Sequence, residues 1–214
     1  MQTPTSATYN SLEEAYDFYN KELFQKRLPP CLLTLQRKSK RTHGYFSPKR
    51  FQDDIERESD ELAMNPMHFK NRELEDVLAT LVHEMTHVEQ EHFGKPGRNG
   101  YHNKAWGKLM IEVGLHPSNT GQPGGKQTGQ QMTHYIISGG PFERATRKLL
   151  AAGFNLPWGE GKGKTKGAEG DDPEGEKDRS NRVRFGCTGC KARAWGKPSL
   201  KLICGKCKLD MSPR

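Results

Sequence analysis

The sequence predicts an α+β protein: helices packed on a small β-sheet, with a separate cysteine-bearing module at the C-terminal end. Three observations lead there. Apolar residues recur at helical spacing in four stretches, three short β-like runs lie between the first two of them, and four of the five cysteines form two C-x-x-C pairs after residue 186. At 214 residues the chain is long enough for one ordinary domain and a small appendage, with a sizeable core that needs no disulfides. The hydrophobic fraction of 32% and mean hydropathy of -0.91 are low for that length, which assigns part of the chain to linker or tail.

The first element is an amphipathic helix. Ser11 and Glu14 read as a capping box, and Leu12, Ala15, Tyr16, Tyr19, Leu23 and Phe24 keep helical spacing until Leu28-Pro29-Pro30 stops them. "CLLTLQRK", "HGYFSPKRF" and "ELAMNPMHF" are the three candidate strands, with the basic "RKSKRT" as a turn or exposed edge. A long helix follows from about Asn71, its apolar face running from Leu74 through Val77, Leu78, Leu81, Val82 and Met85 to Val88, and Gly94 and Pro96 end it. "GKPGRNGY" is a loop, and "NKAWGKLMIEVGL" is a further helix that packs through Ala105, Trp106, Leu109, Met110 and Val113. "TGQPGGKQTGQQ" is a flexible loop, "MTHYIIS" is strand-like, and "PFERATRKLLAAGF" is a last helix, with Pro141 in its first turn and Gly153 at its end. After Trp158 the composition turns to Gly and charges of both signs. The expected division is therefore a folded domain over 9–156, a disordered linker over 157–181 and a basic module over 182–214.

No apolar run approaches the length of a membrane span, and the N-terminal segment lacks the basic and apolar regions of a signal peptide, so the expected compartment is the cytoplasm, with no membrane partner. The net charge of +8 is concentrated in one place: from Arg182 onward there are nine basic residues against the single acid Asp210. A polyanion is the natural partner of such a tail.

His83-Glu84-Met85-Thr86-His87 matches H-E-x-x-H, and a helix is the context that the motif requires. Four residues advance a helix by about one turn, so both imidazoles point the same way and can share one zinc ion. Glu84 is too close in sequence to be a third ligand, but it can take a proton from an attacking water and pass it to a leaving amine. On a plain surface helix Leu81, Val82 and Met85 would bury two unpaired polar residues, which is costly. Three residues compete for the third ligand position. His92, five residues after His87, lies about 140° round the helix and reads as a solvated histidine. Glu112 would suit a site that takes a glutamate from a second helix. His102 follows a glycine-rich loop able to fold the chain back, and it is favoured; a fourth position then stays open, as a catalytic site needs.

"HEMTH" and then "YHNKAW", where the histidine is followed four residues later by an aromatic, resemble the SprT-like (SprT/Spartan-like) zinc metallopeptidases; "FYNKELFQKRLP" and "AMNPMHF" do so too. The likeness covers about residues 9 to 116 and continues in the C-terminal zinc ribbon that many members carry. It implies a compact zincin-like fold, three histidine ligands, a glutamate base and, for some relatives, cleavage of proteins bound or crosslinked to DNA. The chain departs from the family pattern in the long insertion "EQEHFGKPGRNGY" and in "MTHYIISGGPFERATRKLLAAGF", which has no place in the family core. Within that second stretch His134 and Tyr135 are candidate hydrogen-bond donors to a developing oxyanion, if the strand lies along the cleft.

Cys187, Cys190, Cys204 and Cys207, with thirteen residues between the pairs, have zinc-ribbon spacing. Four thiolates close a tetrahedral shell and leave no place for substrate, so this second zinc is structural, and it supplies most of the folding free energy of so small a module. Gly186, Gly189 and Gly205 ease the turns, while Cys31 reads as a buried core thiol. Arg182, Arg184, Lys191, Arg193, Lys197 and Lys201 are candidate phosphate contacts, and Phe185 and Trp195 can stack on bases, which favours single-stranded or unpaired DNA. Trp195 as the core of a solvated knob is the competing reading. The leading expectation is a zinc endopeptidase tethered to DNA by its ribbon and acting on DNA-associated protein substrates. Its rivals are a nucleic-acid-binding protein with a structural histidine site, and a zinc peptidase for a specific soluble regulator.

Overall fold

A computed structural model describes residues 2–37, 39–160 and 183–213. Residues up to 160 form one compact unit, and 183–213 belong to a second. Both mix helices or turns with small sheets, and the chain as a whole is α+β. Arg182 and almost all of the expected linker lie outside the described residues. Among the described residues no helix is long and apolar enough to cross a membrane.

The first helix, α1 (Pro4–Leu23), starts seven residues before the capping box read from the sequence. Thr3 is its N-cap, accepting from the Ser6 amide, and Pro4 occupies the first turn, where its missing N–H costs nothing. The Ser11 hydroxyl instead donates to the Ala7 carbonyl inside the helix. Tyr16, Tyr19 and Leu12 form the buried stripe.

The three candidate strands become one sheet. β1 (Leu32–Leu35) runs parallel to β3 (Glu58–Met64), and β2 (Gly44–Gln52) runs antiparallel to β3 on its other side. The third run stops being a strand at Met64: Asn65 accepts from the Met67 amide and starts a 3-10 turn, Pro66–His68. β3 is the buried centre, whereas β2 is an edge strand.

The long helix α2 (Leu74–Phe93) ends at Gly94, as its composition requires. Thirteen of its twenty residues are buried, so it is the central element of the unit and not a half-exposed surface helix. A short turn, Arg98–Gly100, leads to α3 (Lys104–Val113), which is capped by Asn103 and ended by Gly114 at φ 96. That left-handed turn reverses the chain into a strand the sequence pattern did not reveal, β4 (Leu115–Ser118), which pairs antiparallel with β5 (Thr133–Ile136). Helix α4 (Pro141–Ala151) then packs against α1, where the Tyr19 and Thr146 hydroxyls hydrogen-bond at 2.7 Å and Tyr19 stacks on Phe142. The stretch with no place in the family core is thus part of the same hydrophobic core, through Phe142, Ala145, Leu149 and Phe154.

In the second unit β6 (Val183–Cys187) pairs with β7 (Arg193–Gly196) and β9 (Asp210–Pro213), and β9 also pairs with β8 (Leu202–Ile203).

Candidate metal centre and cleft

Helix α2 brings His83, Glu84 and His87 to one cleft, and the turn before α3 returns His102 to them. The ligand atoms of the three histidines lie within 4.8 Å of one another. Trp106, fully buried one helical turn after His102, packs against all three imidazoles at centroid distances of 4.9, 5.3 and 4.4 Å. The aromatic in "YHNKAW" is therefore the apolar wall of the site. Asn103 fixes the approach: its carbonyl oxygen accepts from the Trp106 amide and from the Gln90 side chain, and its NH2 donates to the Lys95 carbonyl.

Burial holds all three imidazoles neutral. It lowers His83 far below the ordinary histidine value, with help from His134, His87 and His102; it takes His87 down to about 3, with His102 adding to it; and it lowers His102 as well. Neutral imidazole is the form that binds a metal. The free ring nitrogens converge too: Nδ1 of His102 lies 3.1 Å from the Gly129 carbonyl and Nδ1 of His83 lies 3.0 Å from Nδ1 of His134, which leaves Nε2 of both for a shared ion. Donor type, protonation and convergence all fit a zinc ion.

Glu84 is 6% exposed and lines the same cleft. Burial alone lifts its carboxyl to about 8. β2 passes directly over it: a Cβ built on Gly44 would meet Cγ of Glu84 at 3.2 Å, Cγ2 of Thr80 at 3.2 Å and the Ala63 carbonyl at 3.0 Å. The cleft, about 960 Å³, runs from β2 residues Gly44 to Pro48 past the histidines to Tyr101 and Met132.

The other candidates separate clearly. His92 points away and hydrogen-bonds the buried Asp60 at 2.6 Å, so it is a paired residue and not a freely solvated one. Glu112 is exposed on α3 and stands outside the histidine cluster. Of the two candidate oxyanion donors, His134 lines the cleft with Nδ1 engaged by His83. Tyr135 points to the other face of β5, where its ring stacks on His116 at 4.7 Å, because neighbouring strand residues alternate in direction. Cys31 is half-buried against the core, 3.6 Å from the Tyr16 hydroxyl, and burial pushes its thiol up to about 11.

In the second unit Cys187, Cys190, Cys204 and Cys207 place their sulfurs within 4.8 Å of one another, and none is in a disulfide. The two C-x-x-C turns repeat one pattern. The Cys187 and Cys204 carbonyls accept from the Lys191 and Lys208 amides at 3.1 and 2.8 Å, and both lysines take a left-handed conformation, φ 61 and 57. Glycine at 189 leaves the Cys207 sulfur its room, since a Cβ there would stand 3.0 Å from it. The Cys207 amide, then the Cys190 thiol and the Lys206 amide, lower the Cys204 thiol, while Cys190 and burial raise Cys207, so Cys204 is the member of the set that most readily becomes a thiolate. This donor set also fits zinc.

Of the two aromatics expected to be open for stacking, Trp195 is exposed and Phe185 is not. Phe185, expected to be open for stacking, is 1% exposed and fills the core of this unit, because it alternates inward with Cys187 along β6. Trp195 is 63% exposed, directly opposite the exposed Arg184 in the β6–β7 pair. Lys191, Arg193, Lys197 and Lys201 are exposed as well.

Comparison with known proteins gives the family. The model of the SprT-like family matches residues 12–127, which include His83, Glu84, His87 and His102 and stop short of His134. An uncharacterized protein in the mucB 3' region of Salmonella typhimurium is 62% identical over 48 residues, 22% of this chain. The chain spans 64% of the length of that curated relative. No solved structure matches. With more than half of its length matched in one stretch, and the histidine cluster inside it, the chain belongs to the SprT-like family.

Proposed function

We propose that this protein is a zinc-dependent endopeptidase of zincin type that cuts proteins bound or crosslinked to DNA, and that its C-terminal four-cysteine unit is a zinc ribbon that holds it on DNA. The observation that carries the reading is Glu84: a buried carboxylate next to three converging, neutral histidines, at the wall of a cleft of about 960 Å³. A purely structural site has no use for it. His83, His87 and His102 would hold the catalytic zinc, and Cys187, Cys190, Cys204 and Cys207 the structural one. When bound, the catalytic ion polarises the scissile carbonyl and activates water. A positive charge held there would favour the ionised form of Glu84 against the burial that raises it. Glu84 then takes the proton of the attacking water and hands it to the departing amine, a role worth about 10²- to 10⁴-fold in rate.

The DNA part of the reading rests on the exposed Trp195–Arg184 pair and on a surface whose described acids number one, Asp210. Arg184, Lys191, Arg193, Lys197 and Lys201, together with Arg182, would meet phosphates, and Trp195 a base of single-stranded or unpaired DNA. The organisation follows: a protease domain over 9–156, a tether over 157–181 and the ribbon over 182–214, in the cytoplasm, with location choosing the substrate.

A gel assay tests it. The zinc-loaded protein, Glu84→Gln and Trp195→Ala are each given a DNA-binding protein as substrate, with and without single-stranded DNA. Cleavage is expected from the wild type, faster with DNA; none from Glu84→Gln; and a reduced DNA effect with Trp195→Ala. Cleavage that ignores both DNA and salt would point to a soluble substrate. DNA binding with no cleavage by any form, across several substrates, would leave a binding protein with a structural histidine site.

A further inference from the structure

Two of the three histidines are held from outside the family-matched region. Residue 127 is its last. Gly129 then clamps His102 three times: its carbonyl accepts from the His102 amide at 2.9 Å and faces Nδ1 at 3.1 Å, and its amide donates to the His102 carbonyl at 3.1 Å. Five residues on, His134 of β5 places Nδ1 3.0 Å from Nδ1 of His83. β5 is fixed in turn by its pairing with β4, and the α4 that follows it by packing on α1.

We propose that His134 is a positioning residue for the metal, and that the segment 129–134 is a clamp that sets the tautomer and ring orientation of His83 and His102. The inference rests on the zinc reading given above. The protons decide the roles. A carbonyl only accepts, so Nδ1 of His102 carries hydrogen and Nε2 is bare. At the His83–His134 contact one nitrogen must donate. With Nε2 of His83 turned to the ion, its proton is on Nδ1, so Nδ1 of His134 is the acceptor and His134 keeps its own proton on Nε2. An acceptor behind a ligating histidine fixes the ring and makes the other nitrogen a better donor to the metal, and its loss typically costs about 10- to 100-fold in metal affinity. This gives His134 a role toward the metal through Nδ1. Its ring nitrogen is committed to His83, and any hydrogen bond it gives to substrate would come from Nε2 alone.

The test compares wild type, His134→Phe and His134→Asn in the full chain, by chelator competition for zinc and by the absorption of bound cobalt. His87→Ala supplies the background of metal held by the cysteines. The Phe variant keeps the ring volume without an acceptor, and the Asn oxygen sits near the place of Nδ1. Expected is a loss of zinc affinity of about 10- to 100-fold for Phe, with a changed cobalt spectrum, and recovery of most of both by Asn. Long-range proton–nitrogen NMR of the zinc-loaded wild type is expected to show His134 protonated on Nε2 only, a readout that stands even if the Phe variant does not fold. If wild type binds zinc at the histidines while the Phe variant binds it equally well, or if Phe and Asn lose it equally, or if His134 carries its proton on Nδ1, the clamp is wrong and the zinc reading survives. If wild type takes up no more zinc than His87→Ala, the zinc reading itself falls.

Discussion

Gly44→Ala is the most informative single change, because it reaches Glu84 without touching a ligand. The new methyl would lie 3.2 Å from Cγ of Glu84 and 3.2 Å from Cγ2 of Thr80, and 3.0 Å from the Ala63 carbonyl. Carbon atoms rest at about 3.5–4.0 Å, so the side chains must retreat by roughly 0.3–0.8 Å. The carbonyl cannot, since Ala63 is paired on both sides within the sheet. The movement therefore falls on α2 and on the Glu84 side chain. A displacement of 1 Å costs about 100-fold in rate, so about half of that costs roughly tenfold in kcat on the same scale. Overpacking adds a stability loss of about 1–3 kcal/mol. The assay is steady-state cleavage of a protein substrate, with zinc content and thermal melting measured on the same preparation. The expected result is a fall in kcat with zinc still bound and the protein folded. A variant with wild-type kcat, or one whose activity falls only as its folded fraction falls, would refute the argument that β2 sets the position of Glu84.

Two further outcomes follow from the packing. Tyr19→Phe leaves the buried Thr146 hydroxyl without its 2.7 Å partner; it should lower stability by about 1–3 kcal/mol, read by urea unfolding, and an unchanged midpoint would show that α4 is not tied to α1 there. His43 is held neutral down to about 4 by burial first, then by Arg72 and His68, against an ordinary 6.5. Between those values the unfolded chain binds more protons, so the stability gained from neutral His43 is complete above pH 6.5 and is lost as the pH falls toward 4. Unfolding measured across that range should show wild type losing more stability than His43→Gln, and parallel curves would refute it.

The elements and the histidine cluster were legible because they rest on local patterns. H-E-x-x-H needs only the helical period to bring two imidazoles together, and the Gly94 stop and the α4 helix with its Pro141 start are equally local. His102 could be favoured because a glycine-rich loop precedes it, although the loop's fold is held by distant partners such as Gln90 and Gly129. What escaped depended on contacts far apart in sequence. The start of α1 was lost to a stronger-looking capping pair at Ser11, and β4 has no strand signal in "LHPS" until β5 pairs with it. The side on which Phe185 and Trp195 lie follows from strand register, and composition cannot supply that. His134 carried a usable signal, a histidine in a strand-like run, but no spacing rule links it to His83 across 51 residues.

That distance along the chain has a consequence for synthesis. The parts that orient His83 and His102 are made after both, and the α4 that covers α1 is made later still, bonded at Thr146 to Tyr19 across 127 residues. A chain still growing on the ribosome, with His83, Glu84, His87 and His102 already translated, leaves the rings of His83 and His102 without their Nδ1 partners. A prematurely ended product of that length is in the same state. The order of translation thus delays the assembly of the histidine cluster until the polypeptide that carries it has nearly finished its first unit.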